Sequence, residues 1–337
     1  MEVLHYGGTK NKLSKNKTNM KNILYFIALL CCVAFIACDK QTTPEALDVQ
    51  VPPTKSDDYF EALRQYKNSK HQLCFGWFGN WTATGSAMST RLDNVPDSVD
   101  IISIWGNTFN LTPEMKADMA YVQQKKGTKV IFTIFAHTVP ELFVAEDGTI
   151  DYASYAKSLN DTIIKYNYDG IDFDYEPNYG GSGPLCNKNN METFIHEMGK
   201  YVGPKSGTGK ILSIDGEPYH MNPGVSEYFD YGIVQAYNST GDTDLQSRFN
   251  QAAEVGWKPE QYIFTENFES LWQTGGNPNY QDKYGNVMPS LEGMARFNPD
   301  QGPKAGVGTY HMEYEYLALP AYKYLRQAIQ IMNPTVK

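Results

Sequence analysis

The chain of 337 residues is 41% apolar, 13% aromatic and 20% charged, enough to bury a full-sized core and too ordinary for a fibrous repeat or a disordered polymer. Its formal charge of −9 repels phosphate, which excludes a nucleic-acid binder on electrostatic grounds.

At the amino terminus, Lys10, Lys12, Lys15, Lys17 and Lys21 precede the apolar run 23–37, the charged-then-apolar order of an export signal. That run is shorter than the ~20 residues a spanning helix needs. It ends at Phe35-Ile36-Ala37-Cys38, which resembles a bacterial lipobox with Phe35 where leucine is more common. The resemblance implies cleavage before Cys38 and lipid on its sulfur. Met20 then reads as the natural start, with residues 1–19 a misassigned extension. Residues 38–56 are polar and carry Pro44, Pro52 and Pro53, as a tether would. The expected division is therefore a signal over 1–37, a lipidated tether over 38–56 and one folded domain over 57–337. It describes an exported bacterial lipoprotein held on the membrane by its lipid anchor. Losing residues 1–37 removes five Lys and one Glu, which moves the charge to −13. Cys74 and Cys186 stay in the folded domain, and their placement does not demand a bridge.

From residue 57 a short apolar run, a loop and a segment of helical period follow one another repeatedly. The runs lie at 72–78, 99–105, 129–136, 168–175, 210–215, 230–237, 261–266 and 305–311. Helical segments lie at 113–126, 153–166, 190–202, 243–255, 291–298 and 320–332. The first of these is framed by Thr112 as cap, Pro113 in its first turn and Gly127 past its end. Strands apolar on both faces that alternate with helices form a parallel sheet covered on the outside, and eight such units favour a closed (β/α)8 TIM barrel in a single domain. An open doubly wound sheet is the alternative, weakened because no glycine-rich fingerprint follows the first strand.

The densest chemistry is Asp169-Gly170-Ile171-Asp172-Phe173-Asp174-Tyr175-Glu176. Strand alternation sends Asp172, Asp174 and Glu176 to one face and Ile171, Phe173 and Tyr175 to the other. Three carboxyls on one inward face cannot all ionise cheaply, so their pKa values must spread, and a protonated acid beside an ionised one is what glycosidic cleavage uses. Glu176 is last, at the strand's carboxyl end, where barrel enzymes place reacting groups. A solvated acidic face would not be interleaved with Ile, Phe and Tyr at strand spacing. A nucleotide–metal reading of Asp172-Phe173-Asp174 lacks a second acidic or histidine cluster, so no metal and no cofactor is expected.

This stretch resembles the DGxDxDxE signature of glycoside hydrolase family 18, the chitinases and endo-β-N-acetylglucosaminidases, at all its fixed positions and on the fourth strand. The resemblance implies substrate-assisted retention, with the substrate's 2-acetamido oxygen as nucleophile. By that analogy Glu176 is the acid/base, Asp174 orients the acetamido group, Asp172 shares a proton with Asp174, and Asp169 is structural. Tyr237, in Gln235-Ala236-Tyr237-Asn238, holds the place of a family tyrosine that bonds the acetamido carbonyl. Gln235 and Asn238 stand where many chitinases show Met and Asp. The last strand reads Gly308-Thr309-Tyr310-His311 and lacks the usual tryptophan, and only some forty residues separate the seventh and eighth strands, too few for the inserted domain many chitinases carry there. These departures favour compact endo-β-N-acetylglucosaminidases, with a GlcNAc-containing N-glycan as partner. A chitinase and a catalytically silent sugar-binding barrel are the alternatives. Trp105, Trp272 and Tyr310 are the aromatic candidates for sugar contact, alongside Gln235 and Asn238. Trp77, Trp81, Tyr280 and Tyr284 are further possibilities. A monomer is the expected state.

Overall fold

The computed structural model describes residues 55–334, so the signal, the lipid-bearing Cys38 and nearly all of the tether lie outside the described residues. Eight parallel strands close into a barrel: β1 Leu73–Phe78, β2 Ile101–Ile104, β3 Lys129–Phe135, β4 Gly170–Tyr175, β5 Ile211–Gly216, β6 Tyr231–Gln235, β7 Tyr262–Asn267 and β8 Gly306–Tyr310. Each pairs with its sequence neighbours, and β1 pairs with β8 to complete the ring. All eight expected strands are present, most of them trimmed at an end.

The helices are α1 Asp57–Lys67, α2 Pro113–Tyr121, α3 Tyr152–Tyr166, α4 Lys188–Met198, α5 Asp242–Glu254, the short α6 Phe268–Leu271, α7 Ser290–Arg296 and α8 Lys323–Met332. Caps fix their starts: Thr112 accepts from Met115 N, and Asp151 accepts from Ser154 N at 2.9 Å. The expected helix over 113–126 changes at Val122 into a π-helical turn that ends on left-handed Gly127. Helix α1 has no counterpart in the sequence reading. Ser56, assigned above to the tether, caps it, and Lys55 pairs with Asp97. After β1 and β5 the chain makes only 3-10 turns, so six α-helical connections, not eight, leave the strand ends.

Two apolar layers result. Ile171, Phe173 and Tyr175 face the outer shell with Leu212, Ile214 and the helix faces, while Phe75, Ile101, Ile131, Ile233 and Ile263 fill the barrel's lower interior. Above that plug the interior turns polar with Ser103, Thr133, Asp172, Ser213 and Asp215, all buried. Gly170 is where β4 passes closest to β5; a Cβ there would meet the Ile211 carbonyl oxygen at 2.1 Å. Cys74 and Cys186 are both free. Among the described residues no helix is long and apolar enough to cross a membrane.

Candidate active site

The site is built on register. Asp174 lies opposite Phe135 of β3 and Asp215 of β5, and Asp172 lies opposite Thr133 and Ser213. Side chains of the same parity therefore meet inside the barrel. Asp172, fully buried, accepts from Trp77 Nε1 at 3.0 Å, Thr133 Oγ1 at 2.9 Å and Ser213 Oγ at 2.7 Å. The carboxyl that meets it from the neighbouring strand is Asp215. Asp172 and Asp174, expected to share a proton, stand roughly 6 to 7 Å apart along β4, whereas Asp215, in register with Asp174, reaches Asp172 diagonally across the ladder.

Asp174 is 6% exposed and its Oδ1 finds no donor in the chain. Burial, and then the charges of Glu176 and Asp172, push its carboxyl up to about 8. A neutral acid thus stands directly below Glu176 at physiological pH. Glu176 is half-buried just past the end of β4. Its turn is braced from both sides: Glu176 N donates to His137 Nε2 at 3.1 Å, and buried Glu217 accepts from Asn178 N at 2.7 Å and Tyr219 Oη at 2.7 Å.

Two hollows meet at this glutamate. One, of about 180 Å³, is walled by Trp77, Trp105, Asp174, Asp215, Tyr237 and Tyr310. The other, of about 310 Å³, is lined by Tyr179, Glu217, Tyr219, Arg248 and Tyr237. Glu176 and Gln235 line both. Tyr310 organises the aromatic wall: its ring stacks on Tyr237 at 6.1 Å and meets Trp105 and Trp77 edge-on at 6.1 and 6.2 Å. Burial and the facing acids push the Tyr237 hydroxyl well up, so it remains a donor. A larger hollow of about 460 Å³ on the flank beside α5 contains no buried carboxyl.

Of the site residues read from sequence, Glu176, Asp174, Tyr237, Gln235, Trp105 and Tyr310 come together around the smaller hollow, with Asp172 beneath it. Two are corrected. Asn238 takes a left-handed φ of 56° as the chain leaves β6, is exposed, and contributes its backbone N–H to Glu266 Oε1 at 2.8 Å. Trp272 ends α6 and packs on the outer apolar shell. Trp81 and Tyr280 are also scaffold: Trp81 donates to Asp118, and Tyr280 is fully buried. Sequence reasoning missed Asp215, although Ser213 and Asp215 share the parity that carries the acids of β4. It also missed Tyr179, 75% exposed at the rim of the larger hollow. No group of three or more His, Cys, Asp or Glu placed to hold a metal ion occurs among the described residues.

A protonated carboxyl beside a second acid, in an aromatic-walled cavity at the carboxyl end of a (β/α)8 barrel, defines a glycoside hydrolase. Comparison with known proteins narrows the class. The model for glycoside hydrolase family 18, BT1044-like, matches residues 39–331, and the chain belongs to that family. It is 29% identical over 353 residues to endo-β-N-acetylglucosaminidase F2 of Elizabethkingia meningoseptica, covering 94% of this chain and all of the relative. Among solved structures, a selenomethionine-labelled Glu-to-Gln variant of BT1044 superposes with a TM-score of 0.75 at 31% identity, covering 82% of this chain and 93% of the other. An endo-β-N-acetylglucosaminidase from Cordyceps militaris shares the fold at a TM-score of 0.64 and 22% identity, over 83% of this chain and 97% of that one.

Proposed function

We propose that the protein is an endo-β-N-acetylglucosaminidase that cuts the β-1,4 bond between the two core N-acetylglucosamines of N-glycans, with retention. The observation that carries this reading is Asp174: a buried carboxyl with an unpartnered oxygen, directly beneath Glu176 and facing the smaller hollow with Tyr237. Such a group costs stability and is kept where a substrate completes it. The acetamido N–H of the sugar in that hollow is the missing donor, and the Tyr237 hydroxyl donates to its carbonyl. The acetamido oxygen is then held against the anomeric carbon. Burial and the charge of Glu176 keep a proton on Asp174 in the free site, and the sugar's N–H, which favours an ionised Asp174, passes that proton to Glu176. Glu176 donates it to the departing oxygen, and then, as base, activates the water that opens the oxazolinium ion. The leaving N-acetylglucosamine, still on its asparagine, occupies the larger hollow beside Tyr179 and Tyr219. No metal or cofactor enters these steps.

The similarity to endo-β-N-acetylglucosaminidase F2 supports this substrate over chitin. Incubation with a defined N-glycoprotein should lower each site's mass by the glycan less one N-acetylglucosamine, with a β-configured product and inhibition by a thiazoline mimic of the intermediate. Cleavage of chitin oligomers with glycoproteins untouched would make it a chitinase; no new reducing end on either would make it a silent glycan-binding barrel. The same proposal places the enzyme on a bacterial membrane through lipid on Cys38, and mass analysis of the native protein finding residues 20–37 intact would remove that part.

A further inference from the structure

Asp215 is a buried acid of the site that the mechanism above does not use. It is 1% exposed, lies on the wall of the smaller hollow, and sits in register with Asp174 across the β4–β5 ladder. Its Oδ1 accepts from Gln235 Nε2 at 2.9 Å. Its Oδ2 is buried without an N–H or hydroxyl donor, and the carboxyl it faces most closely is that of Asp172. Two buried carboxyls facing each other need a proton between them, and the neighbours decide which one owns it. Asp172 already accepts from Trp77, Thr133 and Ser213, an environment that holds a carboxylate. Asp215 has one amide donor and nothing cationic near it.

We propose that Asp215 is a protonated positioning residue whose Oδ2–H donates to ionised Asp172 while its Oδ1 holds Gln235, so that the Gln235 Oε1 faces the sugar as an acceptor. Every valence then closes: Asp172 receives a fourth donor, Asp215 donates once and accepts once, and the amide of Gln235 cannot rotate. The titratable groups facing Asp215 are Asp172 and Asp174 from β4 and Tyr237 just past β6, with Glu176 across the cavity; none is cationic. Burial, followed by the charges of Asp172 and Asp174, raises the proton affinity of Asp215 well above that of an ordinary carboxyl, in agreement with this assignment. The role rests on the proposed hydrolysis for its readout in rate, though not for its readout in protonation.

Asp215→Asn reproduces the neutral acid, since its amide can donate to Asp172 and accept from Gln235. On a defined N-glycoprotein its kcat should fall by less than about tenfold. Asp215→Ala strands both Gln235 and Asp172 and should lose about 10²-fold in kcat. An asparagine variant as slow as the alanine variant overturns the proposal, because the charge itself would then be required. Infrared spectra of the full chain at neutral pH should show a neutral-carboxyl component that Asp215→Asn removes, and an unchanged carboxyl band overturns it equally. Should the wild-type protein cleave neither glycoprotein nor chitin, the proposed function fails while the infrared comparison still decides the protonation of Asp215.

Discussion

Two parts of this barrel bury acids, and they do so in opposite ways. On the β7–β8 side, Glu266 accepts from the backbone N–H groups of Asn238 and Asn267 at 2.8 and 2.7 Å and from Ser290. Glu315, fully buried after β8, accepts from the backbone N–H groups of Tyr324 and Leu325 and so anchors the start of α8. On the β4–β5 side, Asp174 leaves Oδ1 unmatched. Burial raises all three, Asp174 to about 8 and Glu315 to about 7, so a displaced pKa does not by itself separate site from scaffold. Among these three the unfilled valence does. Glu266 and Glu315 spend their lone pairs on the chain's own donors, whereas Asp174 keeps one for a ligand.

The sharpest way to break this distinction is at Glu176. Glu176→Gln keeps shape and donor capacity but not a transferable proton, so turnover should fall about 10²–10⁴-fold while glycan binding and the unfolding midpoint hold. A loss below tenfold would move the acid role to another residue. Glu315→Ala should show the converse. It strands two backbone N–H groups at the start of α8, costing about 1–3 kcal/mol in a denaturation experiment while KM stays near the wild-type value. An activity loss larger than that stability loss would place Glu315 in the site's machinery instead. The aromatic residues give a smaller contrast: Trp105→Ala should raise KM roughly three- to tenfold through lost contact with the sugar, whereas Trp272→Ala should lower stability and leave KM alone.

The contrast also explains what could be read without coordinates. The eight strands were legible because short, β-branched apolar runs recur between segments of helical period, and Asp172, Asp174 and Glu176 were legible because alternation along one strand assigns faces locally. Asp215 needed the pairing of β4 with β5, and a single strand does not announce which neighbour it lies against. Asn238 follows Tyr237 directly in sequence, yet one left-handed residue turns the chain so that Tyr237 walls the cavity and Asn238 does not. Trp272 lies in a Gly- and Asn-rich stretch that looked like a sugar-binding loop; the start of that stretch folds instead as α6, capped by Asn267, and carries the indole onto the outer shell. Helix α1 was missed because its polar sequence follows a proline-rich tether, and its burial of Phe60 and Leu63 is tertiary.

The finest test of the comparison is the pH dependence of stability. Asp174 binds its proton in the folded state up to about pH 8, while in the unfolded chain it releases it near the usual 3.8. Between those values the folded state holds a proton that the unfolded state lacks, so stability falls as pH rises through this window and levels off above it. Asp174→Asn removes the titration and should flatten that part of the slope, raising stability at pH 7 to 8 by at least about 1 kcal/mol while hydrolysis slows. Because the step it impairs most is formation of the oxazolinium ion, the variant should still transfer a preformed sugar oxazoline. Glu315→Gln should remove only the part of the slope that ends near pH 7, since its carboxyl is raised from 4.5 to about 7. Its amide also gives up one of the lone pairs that hold Tyr324 and Leu325, so its stability should not exceed that of the wild type. A gain in stability for Glu315→Gln, or a loss for Asp174→Asn, would mean that the unmatched acid and the satisfied one had been assigned the wrong way round.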